Sequence, residues 1–72
     1  MKFDYSKLRG RIRERFETQK HFADALEVAV NTLSFKLNNK VSWTQREILI
    51  SCRLLNIEEI EMASYFFKEK VQ

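Results

Sequence analysis

The sequence predicts an all-α protein, a compact bundle of about five short helices. The 72 residues contain no proline and only one glycine, so few positions interrupt helical segments. Apolar residues recur at spacings of three and four along most of the chain, which is the period of an amphipathic helix. With 44% hydrophobic residues the chain can form a packed core. Its length fits a single domain over residues 1–72.

The first helix is predicted to begin at Asp4 or Ser6, either of which can cap it, and to end near Arg15. Its apolar stripe consists of Tyr5, Leu8, Ile12 and Phe16. Lys7, Arg11 and Arg15 fall on the opposite side, as a solvated surface or as a ridge that contacts phosphates. Gly10 weakens this helix, and the sequence offers only a close helix contact as its reason.

Residues 18–40 predict two short helices joined by a tight turn. Thr18 can cap the first helix, whose apolar residues are Phe22, Ala23 and Leu26. Residues 27–29 form the turn, with Val28 filling the corner between the helices. Val30, Leu33 and Leu37 give the stripe of the second helix, which ends at Asn38 or Asn39. Small Ala23 allows the two helices to cross closely.

Two further helices are predicted in the second half. Ser42 and Gln45 have the spacing of a capping box, and a stripe of Ile48, Leu49, Cys52 and Leu55 follows. A fifth helix begins at Glu58 and Glu59, with Ile60, Ala63 and Phe67 as its buried stripe. Of the consecutive aromatics at 65–67, two are expected to complete the core. The residues predicted to be buried are Leu8, Ile12, Phe16, Phe22, Leu26, Leu33, Ile48, Leu49 and Cys52.

The composition argues against several classes of protein. No nucleophile–base pair, paired carboxylates or glycine-rich phosphate loop is visible, so neither an enzyme nor a cofactor is expected. His21 has no neighbour that could complete a metal site. Cys52 is expected to be a buried thiol in a reducing cytoplasm. No apolar run is long enough to span a membrane, and no signal peptide is expected.

The net charge of +3 is unevenly distributed. Residues 1–20 contain seven basic and three acidic side chains, whereas residues 21–56 contain four and three. Positive charge therefore lies on the first helix, and the helix pair is nearly neutral. A protein that binds nucleic acid usually concentrates positive charge on its docking face.

Gln19, Ala23, Leu26, Val28 and Leu33 together resemble the repressor/Cro-like helix-turn-helix family. In that family the second helix enters the DNA major groove. The chain departs from the family pattern at three positions, with Glu27 in place of the turn glycine, Ala29 in place of the serine cap, and Lys36 in place of an apolar residue. At the third position Leu37 is expected to take over the packing role.

The resemblance extends to the whole chain. The opening MKFDYSKLRGRI, the central TLSFKLNNK and the closing YFFKEKVQ are similar to short Cro-like regulators encoded by phages of Gram-positive bacteria. Among these, the chain most resembles the modulator-of-repression proteins of lactococcal temperate phages. This resemblance implies a cytoplasmic protein of the bacterial host that opposes the phage repressor in the lysis–lysogeny switch. It also implies that the protein acts by binding the repressor itself.

Two mechanisms remain open for the second helix of the pair. Phe35 faces outward beside small polar residues, which is typical of a protein-binding surface. The first mechanism is therefore that of an antirepressor whose partner is the DNA-binding domain of the repressor. The second is Cro-type binding of operator DNA, in which Asn31 or Asn38 pairs with adenine and Val30 or Ala29 touches a thymine methyl group. Phosphate contacts would come from Gln19, Lys20, Lys36, Lys40 and the first amides of the fourth helix.

A pure dimerisation module is the third alternative, and the chain is expected to be a monomer or a weak dimer. Trp43 is interpreted as a partly buried lid over the core or as a partner contact. The candidate residues for binding a partner or DNA are Gln19, Lys20, Ala29, Val30, Asn31, Ser34, Phe35, Asn38, Lys40 and Trp43.

Overall fold

The computed structural model describes residues 2–71, which form five α-helices joined by short links. The helices are α1 (Ser6–Phe16), α2 (Gln19–Leu26), α3 (Val30–Leu37), α4 (Gln45–Leu54) and α5 (Met62–Phe66), with a 3-10 turn over Glu59–Glu61 before α5. No strand forms in the described part of the chain, although Phe3 and Glu69 make an isolated antiparallel bridge. The predicted all-α bundle is confirmed. Across residues 2–71, no helix is both long enough and apolar enough to cross a membrane.

The hydrophobic core lies around α2, which packs against α1, α3 and α4, while α5 packs against α1. Phe16 is only half-buried because it lies in the last turn of α1, where its ring packs against Phe22 at a centroid distance of 5.3 Å. Ala23 is fully buried at the α2–α3 crossing, as its small size predicts. Seven of the predicted core residues are buried, namely Leu8, Ile12, Phe22, Leu26, Leu33, Ile48 and Cys52.

The prediction that Leu49 is buried is wrong, because its side chain is 49% exposed. The buried face of α4 is formed instead by Ile48, Ser51 and Cys52. Ser51 completes the i, i+3, i+4 spacing of a buried stripe, and its small side chain lets α4 pack closely against α2. Leu49 consequently lies on the solvent side of α4.

The predicted stripe of the fifth helix is also wrong. Ile60, Ala63 and Phe67 are all exposed, and Ile60 is 88% exposed. The reason is the 3-10 turn, which turns about 120° per residue instead of about 100° and so shifts the apolar face. Tyr65 and Phe66 are buried, which confirms that two of the three consecutive aromatics complete the core.

The predicted helix caps at the starts of α1 and α4 are only partly correct. The Asp4 carboxylate, not the Ser6 hydroxyl, accepts a hydrogen bond at the start of α1, from the Ser6 amide at 2.9 Å. The hydrogen bonds from Ser6 hold the pKa of Asp4 below its ordinary value. The capping box predicted at Ser42 and Gln45 is wrong. It is formed two residues later, where the hydroxyl of Thr44 accepts from the amide of Glu47 at 3.1 Å and the Glu47 carboxylate accepts from the Thr44 amide at 2.9 Å.

The basic side chains of α1 bind the ends of two other helices. Arg9 donates to the carbonyl oxygen of Leu37 at 3.0 Å, at the end of α3. Arg11 donates to the carbonyl oxygens of Leu55 and Asn56, both at 3.0 Å, just after α4. Cations are favoured at helix C-termini because the last carbonyl groups carry partial negative charge. We call Arg9 and Arg11 with these acceptors the arginine clamps.

Lys7 is also engaged within the fold. Its ammonium lies 4.6 Å from the centroid of the Tyr65 ring and 3.0 Å from the hydroxyl of Ser64. The row of Lys7, Arg11 and Arg15 is therefore neither a solvated surface nor an open phosphate ridge over its whole length. Lys7 and Arg15 are both exposed, whereas Arg11 is half-buried.

Gly10 is exposed on α1, and a methyl group added there would meet no atom within 4 Å. The close helix contact considered from the sequence is therefore wrong. Four other residues, Glu17, Glu27, Asn39 and Asn56, adopt positive φ in the links, where glycine would be expected. Gly10 itself has no such backbone requirement.

We expect Gly10→Ala to raise the free energy of unfolding by about 0.5–1 kcal/mol, because alanine is the better helix former and its methyl group has room. A thermal melt should show the midpoint rising by roughly 4–8 °C per kcal/mol. Gly10→Pro, which breaks the helix, is the control for α1 formation. A lower melting temperature for Gly10→Ala would contradict this account of α1.

Candidate functional site

The turn between α2 and α3 places α3 against the rest of the bundle. Glu27 adopts left-handed backbone (φ 64°, ψ 40°), its amide donates to the carbonyl oxygen of Asp24 at 3.2 Å, and the Val28 amide donates to that of Ala23 at 3.0 Å. These two hydrogen bonds form a Schellman motif. A residue other than glycine costs about 1 kcal/mol at such a position. Ala29 provides no side-chain cap for α3, as its residue type predicts.

The outward surface of α3 is partly apolar and carries no formal charge. Val30 is 40% exposed and Phe35 is 46% exposed, and the exposed Asn31 lies beside them. The Phe35 carbonyl oxygen accepts hydrogen bonds from the amides of Lys40 and Val41 at 2.8 and 3.3 Å. The exposed Val41 therefore follows α3 closely, and the sequence reasoning missed it. We call Val30, Asn31, Ser34, Phe35 and Asn38 the α3 face.

Asn38 at the end of α3 is held by other residues of the fold. Its side-chain amide donates to the Ser34 carbonyl oxygen at 2.9 Å, and its side-chain oxygen accepts from Arg9 at 3.0 Å. Pairing with an adenine edge needs both a donor and an acceptor of this side chain. Asn38 would have to break these contacts to read a base, whereas Asn31 would not.

Lys36, a predicted phosphate contact, points into the protein. Its side chain is 4% exposed, and its ammonium lies 2.8 Å from the carboxylate of Glu47 and 2.8 Å from the carbonyl oxygen of Ser42. A charge this deeply buried needs a partner, which Glu47 supplies from α4. The prediction that Lys36 contacts phosphate is therefore wrong, because the carboxylate of Glu47 in the first turn of α4 binds its ammonium.

The electrostatics of this pair favour the ionised carboxylate. Burial raises the pKa of Glu47, but the hydrogen bonds from Lys36 and Thr44, together with the charge of Lys36, outweigh it. The net effect lowers the pKa of Glu47 below its ordinary value of 4.5. This carboxylate lies in the first turn of α4, where one amide is already bound to Thr44. A phosphate would meet a negative charge at this helix end.

The other candidate residues lie around the helix pair. Gln19 is half-buried at the start of α2, and Lys20 is exposed and forms an ion pair with Asp24 at 3.3 Å. Lys40 is exposed after α3. Asp24 would compete with a phosphate for Lys20, so Lys40 is the cation beside α3 that keeps its charge available.

Trp43 lies over the core, as the sequence predicts for a lid. Its ring is half-buried and packs edge-on against Phe66 at a centroid distance of 5.1 Å, and against Tyr5 at 6.3 Å. Trp43 precedes Thr44, the residue that caps α4, so it lies outside that helix. Trp43 therefore does not belong to the α3 face, although it is near Lys36, whose ammonium lies 6.0 Å from the ring centroid.

The titratable side chains offer no alternative chemistry in the described part of the chain. Over residues 2–71, no three His, Cys, Asp or Glu side chains are grouped closely enough to hold a metal ion. Cys52 is a free, buried thiol, and burial raises its pKa, so it is poorly suited to act as a nucleophile. The exposed His21 contacts the carbonyl oxygen of Phe16 at 3.2 Å.

Comparison with known proteins finds a matching family and a similar solved structure. Residues 1–69 match the family described as "Protein of unknown function (DUF739)". The chain also resembles the solution structure of the modulator of repression (MOR) of the temperate bacteriophage TP901-1 from Lactococcus lactis. The two chains are 42% identical and superpose with a TM-score of 0.82, over 100% of this chain and 97% of that one. No curated protein matches the chain significantly.

We expect Glu47→Gln to lower the free energy of unfolding by about 1–3 kcal/mol at neutral pH, because the buried Lys36 loses its charged partner. In the unmodified protein, the stabilisation from Glu47 is present above pH 4.5 and is lost as the pH falls through the lower pKa of the folded state. Urea unfolding from neutral pH to about pH 3 should therefore show a smaller acid-induced loss for the variant.

The double variant Lys36→Met/Glu47→Gln is the matched control. It removes both charges, so its stability should lie within about 1 kcal/mol of the unmodified protein. If Glu47→Gln lost as much stability in acid as the unmodified protein, the titration would belong to another carboxylate such as Asp4.

Proposed function

We propose that this chain acts as an antirepressor that binds the DNA-binding domain of a phage repressor through the α3 face. The chain belongs to the DUF739 family and is related across its full length to a phage modulator of repression. The observation that carries this proposal is the exposed Phe35 on a surface without formal charge. The 42% identical relative is a modulator of repression, which supports regulation of repression as the process.

The composition of the α3 face favours a protein partner. Phe35 offers a large apolar side chain that can fill a pocket, and Val30 extends the apolar surface to the start of α3. Ser34 and Asn31 supply polar groups at the edge. An aromatic anchor surrounded by small polar residues is the usual composition of a binding hot spot. A partner that covers Phe35 also removes the exposed 46% of its side chain from water, which contributes roughly half of the 1.5–3 kcal/mol expected for full burial.

The proposed mechanism is competition for the repressor. A repressor domain that binds the α3 face with its own DNA-reading surface cannot hold its operator at the same time. Transcription would then resume without this protein touching DNA. The role requires neither catalysis nor a cofactor, and it places the protein where the repressor acts, in the cytoplasm of the bacterial host.

Cro-type binding of operator DNA is the second candidate, and the exposed Asn31 and Lys40 favour it. Three contacts that this mechanism would use are already engaged within the fold. Lys36 is buried against Glu47, Asn38 is bound to Arg9, and Lys20 is paired with Asp24. With so few available cations, few counterions would be released from DNA, and that release supplies much of the binding free energy.

We expect Phe35→Ala to weaken the complex with the repressor's DNA-binding domain by about ten- to a hundredfold, because truncating an aromatic hot-spot residue typically costs about 2 kcal/mol and each 1.4 kcal/mol is a factor of ten. Phe35→Asp should abolish the complex and leave the fold intact, since the side chain is half exposed. Calorimetric titration measures the affinity, and thermal melts check the fold.

Leu49→Asp is the matched control for these variants. Leu49 is exposed to nearly the same extent as Phe35 but lies on α4, so this substitution should leave repressor binding unchanged. Binding of Phe35→Asp with unmodified affinity would rule out the α3 face. Unfolding of Phe35→Asp would mean that Phe35 is part of the core.

The protein alone is expected to bind DNA weakly, with a dissociation constant above about 10⁻⁶ M at physiological salt and a steep loss of affinity as salt rises. A gel shift with operator fragments, run with and without the repressor, measures this. Specific binding tighter than about 10⁻⁸ M by the protein alone would instead support the Cro-type mechanism.

A further inference from the structure

A second apolar surface lies on α4 and the segment that follows it. Two adjoining cavities of about 390 and 350 Å³ share Leu49 and Met62 in their walls. Arg53 and Glu59 line the first cavity, and Gln45 and Phe67 line the second. No residue of α3 contributes to either lining. We call these six residues the α4–α5 groove.

The groove is flanked by charges of opposite sign. Arg46 and Arg53 lie three and four residues from Leu49, so all three share one side of α4. On the other side, Glu59 lines the groove at the start of the 3-10 turn, and the exposed Glu58 precedes it. None of these four charged residues forms an ion pair within residues 2–71.

We propose that the α4–α5 groove is the interface at which two copies of this chain pair. A two-fold axis that runs between α4 and the 3-10 turn sets Arg53 of one copy against Glu59 of the other, and the reverse contact forms at the same time. Such reciprocal pairing is what a symmetric dimer requires of its surface. The exposed parts of Leu49, Met62 and Phe67 then meet across the axis.

A dimer interface would occupy only a small part of the chain's surface. A stable interface buries about 800 Å² on each partner. The chain exposes 5203 Å², so such an interface would cover about one seventh of it. The half-exposed Leu49 and Phe67 would supply the apolar centre and the charged residues the rim, as in other dimer interfaces.

This interface is separate from the α3 face, so a dimer would carry two copies of that face. The experiment can therefore distinguish the two surfaces. Leu49→Asp should make the protein monomeric without changing repressor binding, whereas Phe35→Asp should remain dimeric. If instead Phe35→Asp abolished the dimer, or Leu49→Asp abolished repressor binding, the assignment of the groove to a second copy would be wrong.

A charge exchange tests the two-fold geometry directly. Arg53→Glu alone sets two acidic side chains against each other in both of the reciprocal contacts, and Glu59→Arg alone sets two basic side chains against each other. Each variant should therefore dimerise at least about tenfold more weakly. In an equal mixture, a dimer of two unlike copies has opposite charges at positions 53 and 59 in both reciprocal contacts. Mixing the two variants should therefore recover dimer. Sedimentation equilibrium of the full-length chains, with circular dichroism as a check of folding, measures the association.

Two results would overturn the proposal. One is an unmodified protein that stays monomeric up to about 1 mM, a concentration at which even weak specific complexes form. The other is a mixture of Arg53→Glu and Glu59→Arg that associates no better than either variant alone.

Discussion

The arginine clamps of α1 are the interaction on which the arrangement of the helices depends. Arg9 binds the end of α3 and Arg11 binds the end of α4, at acceptors 28 and 44 residues further along the chain. Both guanidinium groups satisfy carbonyl oxygens that have no partner within their own helix. Because the two side chains lie two residues apart on one helix, they fix the ends of α3 and α4 relative to α1 and therefore to each other.

The arginine clamps also show that part of the positive charge on α1 is engaged within the fold. Counted along the sequence, the first helix looks like a site for phosphate, yet Lys7, Arg9 and Arg11 contact other parts of the fold. The charged residue of α3 is likewise engaged within the fold, because Lys36 is buried against Glu47. Four of the thirteen basic side chains therefore contact other helices or their ends, namely Lys7, Arg9, Arg11 and Lys36. The net charge of +3 is consequently a poor guide to what the surface binds.

The sequence predicted those features that depend on neighbouring residues. The cap at Thr18, the small Ala23 at the helix crossing and the left-handed Glu27 all follow from local pattern and turn chemistry. The exposure of Leu49 and Ile60 did not follow from local pattern. On α4 the buried face includes Ser51 instead of Leu49, and the 3-10 turn shifts the apolar face that was expected to include Ile60. The capping box at Thr44 and Glu47 was visible in the sequence, but a competing pair two residues earlier has the same spacing.

The candidate site shows the same division. Local periodicity placed Phe35 outward and Leu37 inward, and both placements agree with the structure. The engagement of Asn38 could not be predicted, since its partner Arg9 lies 29 residues away and only the fold brings them together. The burial of Lys36 likewise depends on Glu47, which belongs to another helix.

Phe35 and Lys36 are inverted relative to an ordinary amphipathic helix, in which the aromatic residue would face the core and the lysine would face water. The outward phenylalanine gives up apolar burial, and the inward lysine loses hydration that Glu47 and Ser42 must replace. Neither choice increases the stability of the isolated protein. The inversion does remove the charge of Lys36 from the outward side of α3 and leave an aromatic ring there. A surface for phosphates would need the opposite arrangement, so the inversion favours recognition of a protein.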